Sequence, residues 1–295
     1  MTHIASQTLR GTGVALVTPF NKDFSVDYDG LKKLVNFQID NGINYLVILG
    51  TTGEVPTVSK AEKDAIIDCI KEANNNRLPL VLGIGGNDTM GLIDTLKTQN
   101  YDGLTAILSV SPYYNKPNQN GLLTHYKMLA DASALPIILY NVPGRTGSNI
   151  STETTLKLAE HPNILGTKEA SGNFLQCMEI IKHRPSDFAV ISGDDAFTLP
   201  LIAIGMDGVI SVMGQAYPKK FTTMVNLALN GEIEAARKLH YELLDAMNLI
   251  FADGSPGGIK VLLEAQNICQ NIVRMPLHNV SEEVKQQLLK TLVNA

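Results

Sequence analysis

Short apolar runs rich in Val, Ile and Leu return about every 25 to 30 residues, each followed by a stretch with helical spacing, the pattern of repeated βα units. The runs are GVALVTPF, NYLVILG, PLVLGIG, TAILSVSP, LPIILYN, ILGTKEA, FAVISGDD and DGVISV. Almost none alternates with polar residues, as expected of parallel strands covered on both faces. Between them, VDYDGLKKLVNFQIDNG and SKAEKDAIIDCIKEANNN place apolar residues at helical intervals and end in Gly or Asn, which stop helices. About eight such units in roughly 220 residues match the size of a (β/α)8 TIM barrel. Beyond Pro218 the sequence reads as helix: KKFTTMVNLALN, EIEAARKLHYELLDAMNLIF, GGIKVLLEAQNI and SEEVKQQLLKTLVNA. The expectation is a catalytic barrel over residues 1–225 and a C-terminal helical subdomain over 226–295.

A doubly wound nucleotide-binding fold competes with the barrel, and it predicts GxGxxG after an early strand. GIGGND at 83–88 has the wrong spacing, and no GxxxxGK[ST] occurs. The chain is 44% hydrophobic and 18% charged, with a formal net charge of −5 and no Lys/Arg run. That composition suits a globular protein with a large core and argues against nucleic-acid binding. The start, MTHIASQTLRGTGVALVTPF, lacks a signal-peptide pattern, and no apolar run reaches spanning length. A cytoplasmic location is expected. Cys69, Cys177 and Cys269 have no CxxC spacing and read as buried free thiols.

In a barrel, catalytic groups sit where strands end. Those ends supply Thr18, the GTTGE stretch at 50–54, SPYYN at 111–115, Tyr140, Arg145, Lys168, the SGDD stretch at 192–195 and Ser211. Lys168 closes an apolar strand between Thr167 and Glu169, so the pleat turns it either toward the axis or toward the helices. An amine turned inward is desolvated, which favours its uncharged, nucleophilic form and Schiff-base chemistry with a carbonyl. The alternative is a lysine that reaches solvent. Tyr140 ends the neighbouring strand and can shuttle protons there, with Thr51 and Tyr114 as further hydroxyls. Arg145 suits a carboxylate or, alternatively, pairs with Asp194 or Asp195. GTTGE reads as a cradle for a small carboxylate or as a plain helix cap. Asp194 and Asp195 read as a helix cap, and no metal is expected, because the histidines lie away from the strand ends.

GTTGE, SPYYNKP, YNVPGRTG, GTKEASG and SGDD, in this order from the second strand to the seventh, resemble the dihydrodipicolinate synthase family, within the class I pyruvate aldolases that include N-acetylneuraminate lyase. The resemblance implies a lyase that condenses pyruvate with L-aspartate 4-semialdehyde through a lysine imine, giving 4-hydroxy-tetrahydrodipicolinate for diaminopimelate and lysine synthesis. It implies Lys168 as the imine-forming lysine, Tyr140 as proton relay with Thr51 and Tyr114, and Thr52 on the pyruvate carboxylate. Arg145 would receive the semialdehyde carboxylate, and Gly193 and Ile210 would line the pocket. Tyr114 would reach into a neighbouring subunit's site, so the chain would self-associate as a homodimer or homotetramer. Neither metal nor organic cofactor is implied. The competing readings are an aldolase for another 2-oxo acid, and a non-catalytic 2-oxo-acid sensor that would have lost Lys168 or Tyr140.

One family pattern is missing. Many bacterial members bind lysine at a dimer-interface cleft through a histidine and a glutamate, positions occupied here by Lys60 and Gly91, although Asn87 and Tyr113 match. A cation in place of histidine and a lost carboxylate weaken the binding of an ammonium-bearing ligand. Feedback inhibition by lysine is therefore expected to be weak or absent, and a lysine dose-response of the reaction that shows strong inhibition at low concentration refutes this.

Overall fold

The computed structural model describes residues 8–293. Eight parallel strands, each paired to the next and β8 to β1, close a barrel. They are β1 (Gly11–Ala15), β2 (Tyr45–Ile48), β3 (Leu80–Gly83), β4 (Ala106–Val110), β5 (Ile137–Asn141), β6 (Ile164–Glu169), β7 (Ala189–Ser192) and β8 (Gly208–Ser211). Seven of the apolar runs contain a strand, and GVALVTPF overlaps β1, which starts two residues earlier. The first strand ends at Ala15, and beyond it Phe20 bridges antiparallel to Val26 in the loop that follows.

Polar side chains start the helices at the strand-to-helix junctions. Asp27 accepts from Gly30 N at 2.9 Å, Asn118 from Gly121 N at 2.9 Å and Asn173 from Gln176 N at 3.1 Å. Ser59 and Glu62 form a reciprocal capping box at the head of Lys60–Asn74, and Asn75 ends that helix in the left-handed conformation. Each cap satisfies amides that the first helical turn leaves without partners.

The core has two layers. Ala15, Tyr45, Val47, Leu108, Ile138, Tyr140, Ile191 and Ile210 belong to the cluster that fills the barrel, while a larger cluster lies between the strands and the surrounding helices. Tyr45 crosses the barrel floor, where its hydroxyl donates to Val209 O at 3.3 Å, and Gly13 leaves room for its ring.

β6 departs from plain alternation. Ile137 pairs with Ile164 but Ile138 pairs with Gly166, so the register shifts by one residue at Leu165. Ile164 therefore packs in the outer layer, Leu165 in the inner one, and the alternation restarts from Gly166. A bulge of this kind re-aims every side chain after it. Without the shift, counting from Ile164 would point Lys168 at the helices.

The helix Pro218–Leu229 covers the barrel after β8 and runs across residue 225. It is followed by Ile233–Leu249, Gly257–Ala265 and Glu282–Val293. Leu243, Met247, Leu262 and Leu288 from these helices share the outer core layer with the barrel. Among the described residues no helix is long and apolar enough to cross a membrane.

Candidate active site

An open cavity of about 1420 Å³ spans the C-terminal ends of the strands and runs on along the helices Lys60–Asn74 and Thr89–Thr98. Thr51, Thr52, Tyr140, Arg145, Lys168 and Gly193 all line it. The sequence thus placed most of its candidate residues in one space. Tyr114 and Ile210 do not line this cavity: Ile210 is 1% exposed within the barrel filling, and Tyr114 is 89% exposed.

Lys168 is 5% exposed and its Nζ stands 4.3 Å from the centroid of the Tyr140 ring, the two residues being paired across β5 and β6. The pleat turns the next residues of both strands outward. Glu169 accepts from both Asn141 Nδ2 and Gln176 Nε2, and from Ser171 N at 2.8 Å. Asn141 is tied further to Asn149 Oδ1 and Ile150 N. This buried amide network behind the wall holds the ends of β5 and β6 in the register that presents Tyr140 and Lys168 to the cavity. A Cβ added to Gly193 would meet Lys168 Cε at 2.9 Å and Ala170 Cβ at 2.7 Å, so a residue without a side chain leaves the lysine its space.

GTTGE forms a 3-10 turn over Thr51–Gly53 with Gly50 before it and no side-chain cap, so it is not the helix cap of the alternative reading. Thr18 Oγ donates to Gly53 O at 2.7 Å, holding the turn against the end of β1. The carboxylate of Glu54 turns away from the cavity and binds Lys260 Nζ at 2.6 Å. Sequence reasoning overlooked Lys260. Its signal was the same as for Lys168, a single charge in an otherwise apolar run, GGIKVLL.

Arg145 lies in the short helix Pro143–Thr146, where Pro143 sets the first turn. It is exposed at the mouth of the cavity and takes part in none of the ion pairs among the described residues, so it is not a partner of Asp194 or Asp195. Met247, Asn248 and Phe251 of the C-terminal segment also line the cavity, a contribution with no signal in the sequence.

Tyr114 has a left-handed backbone, with φ +70°. For a bulky residue that conformation costs on the order of 1 kcal/mol and persists where the surroundings impose it. Its loop is pinned through Asn87, whose Nδ2 donates to Tyr113 O at 3.2 Å and whose carbonyl accepts from Asn115 Nδ2 at 3.0 Å. Lys60 also lines the cavity, at the head of its helix. A Cβ on Gly91 would lie 2.7 Å from Asp88 Oδ2, so Gly91 leaves room for the residue that caps its own helix.

Phe197, not an aspartate, holds the N-cap position of Thr198–Ala203, but Asp194 makes a cap-type bond one step earlier, its Oδ1 accepting from Phe197 N at 3.3 Å in the turn that leads into the helix. The turn after β7 is longer than the sequence suggested, and Asp195 reaches across to β8, accepting from Val212 N at 3.1 Å and Met213 N at 2.8 Å. Cys177 and Cys269 are buried free thiols that desolvation pushes up to about 12, which leaves them poor nucleophiles. Among the described residues no group of three or more His, Cys, Asp or Glu side chains is arranged to hold a metal ion.

The family model described as the dihydrodipicolinate synthetase family matches residues 8–295. A relative from Flavobacterium psychrophilum, named 4-hydroxy-tetrahydrodipicolinate synthase, is 53% identical, covering 96% of this chain and 97% of its own. The solved dihydrodipicolinate synthase of Thermotoga maritima superposes with a TM-score of 0.94 at 36% identity, covering 97% of this chain and 98% of its own. A structure described as DHDPS from Cyanidioschyzon merolae with lysine bound gives 0.93 at 35% identity, covering 97% and 98%.

Asp195 makes a pH prediction. Burial raises its carboxyl from 3.8 to about 6, against the lowering effect of hydrogen bonds from Ser211, Met213 and Val212. A group that holds its proton more tightly when folded contributes stability that is full below pH 3.8 and is lost as pH rises through about 6. Asp195→Asn, which does not titrate, is expected to gain on the unmutated protein in urea unfolding as pH rises from about 4 to about 7. A stability difference that stays constant over that range contradicts this reading.

Proposed function

The chain belongs to the dihydrodipicolinate synthetase family, and on that footing we propose that it condenses pyruvate with L-aspartate 4-semialdehyde through an imine on Lys168. The product is 4-hydroxy-tetrahydrodipicolinate, in diaminopimelate and lysine synthesis. The observation that carries the mechanism is a buried amine, Lys168, beside the Tyr140 ring at the floor of an open cavity rimmed by Thr51, Thr52 and Arg145.

Lys168 Nζ adds to C2 of pyruvate, and the carbinolamine loses water to give a protonated imine. That imine is an electron sink, so a proton leaves C3 and an enamine forms. C3 of the enamine attacks the aldehyde carbon of the semialdehyde, whose oxygen takes a proton and becomes the 4-hydroxyl. The semialdehyde's amino group then adds to C2 of the imine, closes the ring and expels the Lys168 amine. One water is released overall, and no electron is gained or lost. Because the imine itself accepts the electron pair, the proposed route needs neither metal nor organic cofactor.

Tyr140 is positioned to move protons at the carbinolamine and at the new hydroxyl. Thr51 would connect its hydroxyl to a relay completed by Tyr114 of a second copy of the chain, and the outward, strained placement of Tyr114 supports that exchange. A homodimer or homotetramer is the corresponding assembly. Thr52 and the adjoining turn would hold the pyruvate carboxylate, Gly193 and Ile210 would shape the pocket, and Arg145 at the mouth would take the semialdehyde carboxylate in a bidentate pair. The reduced thiols of the core fit the cytoplasm.

Tyr140→Phe keeps the ring beside Lys168 and removes the proton carrier, so kcat is expected to fall about 10²- to 10⁴-fold. Arg145→Ala is expected to raise KM for the semialdehyde while leaving KM for pyruvate near its original value. The assay follows the semialdehyde-dependent consumption of pyruvate. Full activity in Tyr140→Phe, or no semialdehyde-dependent turnover in the unmutated protein, contradicts the proposal.

A further inference from the structure

Lys260 is 0% exposed, in the helix Gly257–Ala265. An ammonium has three N–H donors, and this one has three acceptors: Glu54 Oε1 at 2.6 Å, Ile272 O at 2.7 Å and Thr18 O at 2.8 Å. The other carboxylate oxygen of Glu54 accepts from Arg274 N at 2.9 Å. Phe20 closes the site, its ring centroid 4.5 Å from Lys260 Nζ and 4.3 Å from Arg274 Cζ. Arg274 is itself anchored on Phe24 O, Thr57 O and the carboxylate of Glu62.

All of these contacts converge on the back of one catalytic turn. Glu54 is the hinge between the 3-10 turns Thr51–Gly53 and Val55–Thr57, and its backbone is left-handed, with φ 55°. Thr18 accepts from Lys260 through its carbonyl and donates through its hydroxyl to Gly53 O. The turn that carries Thr51 and Thr52 is therefore gripped twice by one buried cation, directly through Glu54 and indirectly through Thr18. Stability alone is a weak reason for such an arrangement, because well-packed apolar residues often replace a buried ion pair at no cost.

We propose that Lys260 and Glu54 are positioning residues for the carboxylate of the 2-oxo acid. The pair sets the Thr51–Gly53 turn at the height where its amides and hydroxyls meet that carboxylate while C2 stands over Lys168. The C-terminal helical segment thereby enters substrate recognition without touching substrate through Lys260. The inference rests on the imine reading of the site and concerns only how the first substrate is held.

The test is steady-state kinetics of the full-length double variant Glu54→Gln/Lys260→Met, which removes both charges and leaves neither partner buried alone. KM for pyruvate is expected to rise about tenfold or more, the loss of one hydrogen bond to a charged group. KM for the semialdehyde stays within about twofold, a split that a purely structural role would not produce. Glu54→Asp keeps both charges, withdraws the carboxylate by one methylene, and serves where the double variant does not fold; it is expected to raise pyruvate KM in the same direction. An unchanged pyruvate KM in a folded variant, or an equal rise in both KM values, overturns the inference. Borohydride trapping of the unmutated protein with pyruvate separates the two levels: if that protein forms no adduct, the reading of the site itself has failed.

Discussion

The placement of Lys168 in the cavity depends on one shifted pairing in β6. Strand side chains alternate with a period of two, so a slip of one residue exchanges the faces of everything beyond it. Ile164 packs outward, and the extra residue at Leu165 restores Gly166 and Lys168 to the interior. Without it, Thr167 and a buried carboxylate-bearing strand end would compete for the barrel axis, and the amine would face the helices. The outer partners secure the choice: Glu169 is bound by Asn141, Gln176 and the Ser171 amide, a set of donors found only on the helix side. The same strand ends thus carry an amine on one face and its structural counterweight on the other.

The cavity has a comparable division of labour around its rim. β5 and β6 supply Tyr140 and Lys168, the loop after β2 supplies hydroxyls and amides, and residues of the C-terminal helices line the same cavity. These helices also bury Lys260 against Glu54, so residues more than 200 positions apart in the chain meet behind the Thr51–Gly53 turn. A barrel followed by an independent helical appendage describes the order of elements but understates how closely the two cooperate. The shared outer core and the ion pair make the C-terminal segment part of the site's scaffold.

Much of this was legible in the sequence. Eight apolar runs without polar alternation announced a sheet covered on both faces, and each contains or overlaps a strand. Polar residues at their ends announced the rim, because that is the only place in such a barrel where hydroxyls, amides and charges can face a common space. What the sequence withheld was parity and long-range pairing. In ILGTKE nothing distinguishes an inward from an outward Ile164, so the bulge could not be read. Asp195 looked like a cap for the helix that follows it, but a longer turn sends its carboxylate to β8. Glu54 completed a familiar motif, while its partner lay in a helix whose apolar composition drew no attention. Tyr114 was named for catalysis, yet its own chain turns it away from its own cavity, the observation that the proposed exchange between copies rests on.

The central claim is that Lys168 is the nucleophile. Its most direct test is peptide mapping by mass spectrometry after incubation with pyruvate and borohydride, beside Lys168→Ala as control. The account predicts a single reduced pyruvyl adduct on the peptide that contains Lys168 and none in the control. A folded, unmutated protein that carries no adduct, or carries it on a different lysine, would contradict it.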